Sequence, residues 1–124
     1  MDFKELLAYK KSFELAMEIF EISKIFPKEE KYSLTDQIRR SSRSVSANIA
    51  ESYRKRRYTN HFISKLTDSD AENSETNVWL EFALKCEYIN QEKFDSLNTK
   101  SSEIGKLINY MINNPSKFGC SVYC

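Results

Sequence analysis

Residues 34–57 read LTDQIRRSSRSVSANIAESYRKRR, and they decide the fold because one helical pattern runs through them without a proline or glycine. The apolar side chains recur at helical spacing and form one stripe: Leu34, Ile38, Val45 and Ile49. At about 100° per residue, the opposite side carries a different set: Arg40, Arg43, Ala47, Glu51 and Arg54. Serines lie between the two sides and leave room for a second helix. The stretch therefore predicts a long amphipathic helix that packs closely against a neighbour.

The composition indicates one globular domain rich in helix. A chain of 124 residues can form one core and is too short for two ordinary domains. Hydrophobic residues make up 40% and charged residues 30%, which is typical of a soluble folded protein and not of a disordered one. Only two glycines and two prolines occur, and this scarcity of helix breakers favours long helices over short strands.

The sequence also predicts a cytoplasmic location. No signal peptide opens the chain, and no apolar run approaches the roughly 20 residues of a membrane span, so no membrane partner is expected. Cys86, Cys120 and Cys124 form an odd set without C-x-x-C spacing, and no cluster of histidine and cysteine suggests zinc. A reducing compartment fits such a set.

Four helical segments of similar length follow one another through short turns. Their predicted bounds are about 3–26, 34–53, 61–85 and 91–113. In the first segment, Leu6, Phe13 and Phe20 repeat every seven residues and predict its apolar stripe. Ser33 or Thr35 is expected to cap the second helix. The predicted fold is all-α, an antiparallel up-down-up-down four-helix bundle over residues 1–113, followed by a weakly patterned tail at 114–124.

The second helix concentrates positive charge, although Lys plus Arg total 19 and Asp plus Glu total 18 over the whole chain. Its candidate nucleic-acid-binding residues are Arg39, Arg40, Arg43, Arg54, Lys55, Arg56 and Arg57. These side chains are suited to phosphate contacts, with Tyr53 and Tyr58 available to stack on exposed bases. The alternative is that the arginines pair with the acidic third helix or with a neighbouring subunit.

Polar residues interrupt the apolar stripe of the third helix. A polar band in a core is costly unless each group finds a partner, so these side chains predict a hydrogen-bonded core layer. The predicted members are Asp70, Asn73 and Asn77 of the third helix, with Asn48 of the second helix as their partner. Such layers can fix the register of helices in a bundle. The alternative for the same residues is a ligand site.

A second apolar face on the third helix predicts a subunit interface. Val78, Trp79 and Phe82 point away from the predicted core stripe, and such a face needs a cover from another helix or another subunit. Ala47 and Ala50 on the outward side of the second helix suggest close approach of the same kind. The predicted interface therefore consists of Ala47, Ala50, Val78, Trp79 and Phe82.

Three segments resemble a known family. Residues 26–40 (FPKEEKYSLTDQIRR), residues 46–51 (SANIAE) and residues 75–81 (ETNVWLE) are similar to the four-helix bundle proteins encoded within bacterial 23S ribosomal RNA intervening sequences, the S23-type ribosomal protein family. The similarity covers about residues 3–113. One departure is Ser52, where many members carry glycine. The resemblance implies a small cytoplasmic bundle that assembles into a homopentamer. A related group of basic bundle proteins binds nucleic acid, which extends the hypothesis of RNA or DNA binding to this chain.

Catalytic constellations are missing from the sequence, so no enzyme is expected. There is no nucleophile elbow, no P-loop and no metal-binding Glu-x-x-His pair, and neither a cofactor nor a metal is predicted. His61 is the only histidine, and its position near a helix start suggests a structural or solvated role. The prediction is a non-enzymatic, oligomeric bundle that presents helix-two arginines to structured RNA. The alternative is a protein-interaction scaffold whose arginines stabilise the homo-oligomer.

Overall fold

The structure, a computed structural model that describes residues 2–120, consists of four α-helices connected by short turns. The helices are α1 (Leu7–Ser23), α2 (Leu34–Arg54), α3 (Thr59–Lys85) and α4 (Gln91–Asn113). Three short 3-10 turns accompany them at Phe3–Glu5, Lys28–Glu30 and Pro115–Phe118. Residues 2–120 contain no strand, and the all-α fold class predicted from the sequence is confirmed.

Side-chain contacts define an antiparallel order. Along each pair of neighbouring helices, residue numbers rise on one helix as they fall on the other. The pairs are Ser12–Ser46 and Ser23–Arg39 for α1 and α2, Ser41–Thr76 and Glu51–Lys65 for α2 and α3, Asn77–Ser101 and Asp70–Asn109 for α3 and α4, and Lys11–Glu103 and Glu18–Lys93 for α1 and α4. Each helix therefore packs against its neighbours in sequence, and α1 closes the bundle against α4.

The predicted apolar stripe of α2 lies in the core. Ile38 and Ile49 are fully buried, and Leu34 and Val45 are almost so. Burying a side chain of this size contributes roughly 1.5–3 kcal/mol. On the opposite side, Arg40, Arg43 and the other predicted members of the outward set are exposed. The helical period therefore describes α2 correctly over residues 34–54, and the rest of the basic run, residues 55–57, forms a turn.

The stripe predicted for α1 is wrong at Phe13, whose side chain is 50% exposed. Leu6 has extended backbone and precedes α1 as its N-cap residue, so a repeat counted from it does not mark one face of the helix. The face that α1 buries instead alternates small and larger side chains: Ala8, Ser12, Leu15, Ala16, Ile19 and Ser23. Small residues let α1 approach α2 closely enough for the hydroxyl oxygens of Ser12 and Ser46 to lie 2.9 Å apart.

Serine hydroxyls also form the contact between α2 and α3. Ser41 Oγ lies 2.8 Å from Thr76 Oγ1, and Ser69 Oγ donates to the carbonyl oxygen of Val45 at 2.8 Å. Ser41, Ser69 and Thr76 are at most 1% exposed. A buried hydroxyl without a partner would be destabilising, but these groups are hydrogen-bonded across the interface. The small side chains therefore allow close packing without leaving polar groups unpaired.

The segment after α4 continues the packed structure, so the weakly patterned tail, whose order the sequence left open, packs against the bundle through Phe118 and Cys120. The rings of Phe118 and Phe62 have centroids 6.4 Å apart, and Arg56 Nη1 donates to the carbonyl oxygen of Phe118 at 3.1 Å. Cys120 is 7% exposed. Phe118 anchors this segment by packing on Phe62. A single aromatic residue gives no periodic pattern from which this packing could be predicted. Cys124 and the rest of 121–124 lie outside the described residues.

Candidate nucleic-acid interface

The exposed side of α2 carries an open groove of about 610 Å³. Lys31, Arg39, Arg40 and Arg43 provide its positive charge, and Asp36 is the single carboxylate among its lining residues. We call this the basic groove. Because the whole chain is almost neutral, its positive potential arises from the placement of these side chains and not from net charge.

An aromatic ring holds two of the arginines in the basic groove. The guanidinium carbons of Arg39 and Arg43 lie 4.7 and 5.6 Å from the ring centroid of Phe20 in α1, and Arg39 Nε donates to Ser23 Oγ at 2.7 Å. A cation–π contact positions a guanidinium without neutralising it. Within residues 2–120, neither arginine forms an ion pair with a carboxylate. Both therefore retain charge and N–H donors for an anion.

Arg40 behaves as the alternative hypothesis predicted, because it joins α2 to acidic α3. Its Nη2 donates to both carboxylate oxygens of Glu75 at 2.9 and 3.0 Å, and its Nη1 lies 3.5 Å from Glu72 Oε2. Glu75 Oε1 also accepts from Trp79 Nε1 at 3.3 Å. Burial raises the pKa of Glu72 above its ordinary value despite the nearby guanidinium. Arg40 thus belongs partly to the bundle and partly to the groove.

The basic run at the end of α2 serves packing more than a continuous basic surface. The Arg56 guanidinium lies 3.5 Å from the ring centroid of Tyr53, and its Nε donates to the Tyr53 carbonyl oxygen at 2.7 Å. Arg54 lies 5.8 Å from the ring of Phe3. Tyr53 is only 6% exposed, so the expectation that it could stack on a base is wrong.

Two residues of that run remain at the surface or pair locally. Arg57 is exposed and lies 5.7 Å from the ring centroid of Tyr58, which is 52% exposed. Lys55 pairs with Glu51 at 3.6 Å, and Lys65 of α3 pairs with the same carboxylate at 3.1 Å. The hydrogen bond from Lys65 lowers the pKa of Glu51. The structure therefore separates the predicted basic set into the basic groove and the end of α2.

The predicted polar layer exists in part, with a different partner. Ser101 of α4 donates to Asn73 Oδ1 at 3.0 Å, and its hydroxyl oxygen accepts from Asn77 Nδ2 at 2.6 Å. Asn73 Nδ2 in turn donates to the Ser101 carbonyl oxygen at 2.9 Å. Asn48 is half-buried on α2 and is not a partner of this layer, and Asp70 accepts at the surface from Asn109. The layer therefore joins α3 to α4 and not α3 to α2.

The residues predicted as a subunit interface occupy the outer surface of the bundle. Val78 is 47% exposed and Phe82 53%, while Trp79 is half-buried against Phe82 with ring centroids 5.9 Å apart. Ala47 is exposed on α2, and Ala50 is half-buried. Within residues 2–120, the side chains of Val78 and Phe82 are not fully covered by any other residue. This agrees with the prediction of an apolar face without a partner inside the bundle.

A second groove, of about 620 Å³, lies beside this face. Trp79, Phe82 and Leu34 supply apolar walls, and Glu30 and Gln37 supply polar atoms. We call it the aromatic groove. Tyr32 lines both grooves and is 84% exposed. Sequence reasoning missed Tyr32 and Lys31, and the available signal was a large aromatic residue in an otherwise polar turn.

Glu30 holds the turn that carries Tyr32. Its Oε1 accepts from Ser33 Oγ at 2.6 Å and from the Leu34 amide at 3.4 Å, and its Oε2 accepts from Tyr88 Oη at 2.9 Å. These hydrogen bonds lower the pKa of Glu30 and raise the pKa of Tyr88 to about 12. Ser33, one of the two predicted residues, occupies the N-cap position of α2, but its side chain makes no capping hydrogen bond, and Glu30 accepts from the Leu34 amide instead.

Comparison with known proteins identifies the family. Residues 4–110 match the family model described as 23S rRNA-intervening sequence protein. The chain belongs to that family. A crystal structure of a protein with unknown function from the S23 ribosomal protein family of Bacteroides thetaiotaomicron VPI-5482 has a TM-score of 0.77 and 35% sequence identity, over 86% of this chain and 96% of that one. No curated protein matches the sequence.

Membership confirms the resemblance seen in the three sequence segments. Ser52, where many family members carry glycine, is fully buried in this family member, and its hydroxyl donates to the Ile49 carbonyl oxygen at 2.7 Å without interrupting α2. Among the described residues, no helix is long and apolar enough to cross a membrane. The same residues contain no group of three or more histidine, cysteine, aspartate or glutamate side chains placed to hold a metal ion.

Proposed function

We propose that the protein is a non-enzymatic, self-associating four-helix bundle that binds structured RNA through the basic groove of α2. The observation that carries this proposal is the state of Arg43. Its guanidinium is exposed at the groove, rests on Phe20, and has no carboxylate partner within residues 2–120. Arg40 in the same groove is paired with Glu75, whereas Arg43 keeps its charge available for an anion.

Self-association would multiply this weak site. One groove with about three available cations supports modest affinity, but copies on a ring-shaped homopentamer would act together through effective concentration. Binding would depend strongly on salt because phosphate contacts release counterions. Since cellular RNA is handled in the cytoplasm, the proposed function carries a cytoplasmic location with it.

Replacing Arg43 tests this proposal. Arg43→Ala should weaken RNA binding and lower the slope of log affinity against log salt by about one per site, because one phosphate contact is lost. Lys106→Ala is the matched control, since Lys106 is exposed on α4 and its loss changes net charge equally. Fluorescence anisotropy with a labelled hairpin RNA over a salt series measures both quantities. Equal slopes for the two variants and the unmodified protein would refute the proposal.

The second candidate is a protein-interaction scaffold, and the exposed apolar patches favour it. Phe13 and Met17 form one patch on α1, while Val78 and Phe82 form another on α3. These helices are not neighbours in the cyclic order α1–α2–α3–α4, so the two patches face different directions. When two different surfaces of one subunit pair head to tail, the copies form a ring if the rotation from one subunit to the next closes after a full turn. In this case the groove arginines would stabilise the assembly, Arg43→Ala would dissociate it, and no RNA would bind.

A further inference from the structure

Tyr32 stands where the two grooves meet. The basic groove and the aromatic groove have similar volumes, about 610 and 620 Å³, and the Tyr32 side chain lines both. At 84% exposure it is the most exposed large hydrophobic side chain of residues 2–120. Such a position contributes little to the core and leaves the Tyr32 ring accessible to a ligand in either groove.

The two grooves differ in chemistry in the way that the two parts of a nucleotide differ. Arg39 and Arg43 in the basic groove supply N–H donors suited to a phosphate group. Trp79 and Phe82 in the aromatic groove supply flat apolar surfaces suited to a nucleobase. Each groove has one carboxylate, but four cations outweigh it in the basic groove and no lysine or arginine of residues 2–120 lines the aromatic groove, so a phosphate favours the basic groove.

We propose that the site takes an unpaired nucleotide, with its phosphate in the basic groove and its base stacked on Tyr32 at the aromatic groove. The proposal rests on the RNA-binding function inferred above and names the form of nucleic acid that the site selects. Lys31 Nζ lies 5.2 Å from the Tyr32 ring centroid, so a cation is held beside the stacked base and its phosphate. Gln37 offers an amide that can donate to, and accept from, a base edge.

The surrounding contacts hold both grooves in one arrangement. Glu75 binds Arg40 on the basic side and Trp79 Nε1 on the aromatic side, and thereby links the two grooves. Glu30 fixes the turn of Tyr32 through Ser33 and Tyr88. A site whose residues are already positioned loses less conformational entropy on binding.

Selection of unpaired nucleotides follows from this geometry. In a duplex, both faces of each internal base are stacked and cannot reach a protein ring, whereas loops and single strands present their bases. A structured RNA would therefore bind through a loop or bulge, and a blunt duplex would contact only the arginines.

Three ligands of equal length separate the contributions: a single-stranded oligouridylate, the same strand with abasic sites, and a blunt RNA duplex. Their affinities are measured by anisotropy for the unmodified protein, Tyr32→Ala, Tyr32→Phe and Arg43→Ala. Stacking contributes about 1–3 kcal/mol per base, so Tyr32→Ala should bind the oligouridylate at least about fivefold more weakly. Tyr32→Phe should bind it normally, and Tyr32→Ala should leave the abasic strand and the duplex unchanged. Arg43→Ala should weaken all three.

The single tryptophan gives an independent readout, because Trp79 lines the aromatic groove. Its fluorescence should be quenched by the oligouridylate and not by the abasic strand. If Tyr32→Ala binds the oligouridylate as tightly as the unmodified protein while Arg43→Ala does not, the stacking proposal is wrong and RNA binding stands. A loss of affinity for all three ligands in Tyr32→Ala would also overturn it, since that pattern indicates a structural role. Absence of binding to every ligand by the unmodified protein would overturn both proposals.

Discussion

At the scale of single residues, Ser101 joins both asparagine amides of the polar core layer. Its hydroxyl donates to Asn73 and accepts from Asn77, and its carbonyl oxygen accepts from Asn73. Asn77 Oδ1 is buried and has no hydrogen-bond partner among the described residues. The layer already contains one unpaired polar atom, and the loss of another hydrogen bond would leave more. Its stability therefore depends on one hydroxyl group that is fully buried.

Replacing that hydroxyl should be destabilising. Ser101→Ala leaves Asn73 Oδ1 and Asn77 Nδ2 with fewer partners in a buried site, which costs about 1–3 kcal/mol. Ser102→Ala, at the exposed neighbouring position, should change the unfolding free energy by less than about 0.5 kcal/mol. Urea denaturation followed by circular dichroism measures both values. Equal effects of the two substitutions would contradict the role assigned to Ser101.

The same layer shows how far single residues could be predicted. Asn73 and Asn77 stood out because amides at core positions need partners, and they are indeed hydrogen-bonded. Their partner could not be predicted, because Ser101 follows the apolar spacing of α4 and serines are common on every helix of this chain. Tyr32 was missed because its exposure depends on how the turn before α2 is folded. Tyr53 was misjudged because its burial depends on how the end of α2 packs, including the Arg56 guanidinium over its ring.

At the scale of elements, the turn before α2 depends on a carboxylate. Glu30 receives hydrogen bonds from Ser33, Leu34 and Tyr88, and the pKa of Glu30 is lowered from its ordinary value of 4.5. A lowered folded-state pKa contributes stability that is complete above pH 4.5 and is lost as pH falls through the lower value. The raised pKa of Tyr88, about 12, means that the same bond is retained until strongly alkaline pH.

Glu30→Gln should therefore destabilise the protein in a pH-dependent way. The difference in unfolding free energy from the unmodified protein should be largest at neutral pH and smaller at an acidic pH well below 4.5, because the carboxylate becomes protonated as pH falls through its lowered pKa. Glu29→Gln removes the same charge from an exposed neighbour and serves as the control. Urea unfolding at the two pH values is the measurement. A difference that stays constant with pH would show that Glu30 acts through packing alone.

Element boundaries and buried faces were not equally predictable. α2 was expected near 34–53 and spans Leu34–Arg54, because one stripe, one exposed basic face and the absence of breakers all agree. The face of α1 was misjudged at Phe13, since large aromatic residues attract a core assignment while the actual interface selects small ones. Close packing depends on the side chains of both helices in a pair. The residue pattern of one helix alone therefore does not show which of its faces packs most closely.

At the scale of the whole molecule, the exposed patch around Val78 bears on assembly. Val78 lies outside both grooves, and its side chain is 47% exposed. A ring of five subunits would bury such a patch in each interface, whereas a monomer would leave it in water. The 14.6 kDa chain makes the two states easy to distinguish by mass.

Under the proposed self-association, Val78→Asp should dissociate the assembly. A carboxylate buried in an apolar interface without a partner carries a large desolvation cost, so the mass should fall from near five subunits towards one. Thr99→Asp, at an exposed position on α4, adds the same charge elsewhere and should leave the mass unchanged. Size-exclusion chromatography with light scattering gives the masses. An oligomer that survives Val78→Asp would exclude this patch from the interface.

The serine-lined contacts of α2 have a consequence for how the sequence can vary. Ser41, Ser46 and Ser69 sit where helices nearly touch, and one added methylene there costs about 1–3 kcal/mol because a helix must move. The buried side of α2 therefore tolerates few substitutions. The exposed side, which carries the basic groove, tolerates many more. Variants of such a chain can therefore change the charge of the basic groove without unfolding the bundle.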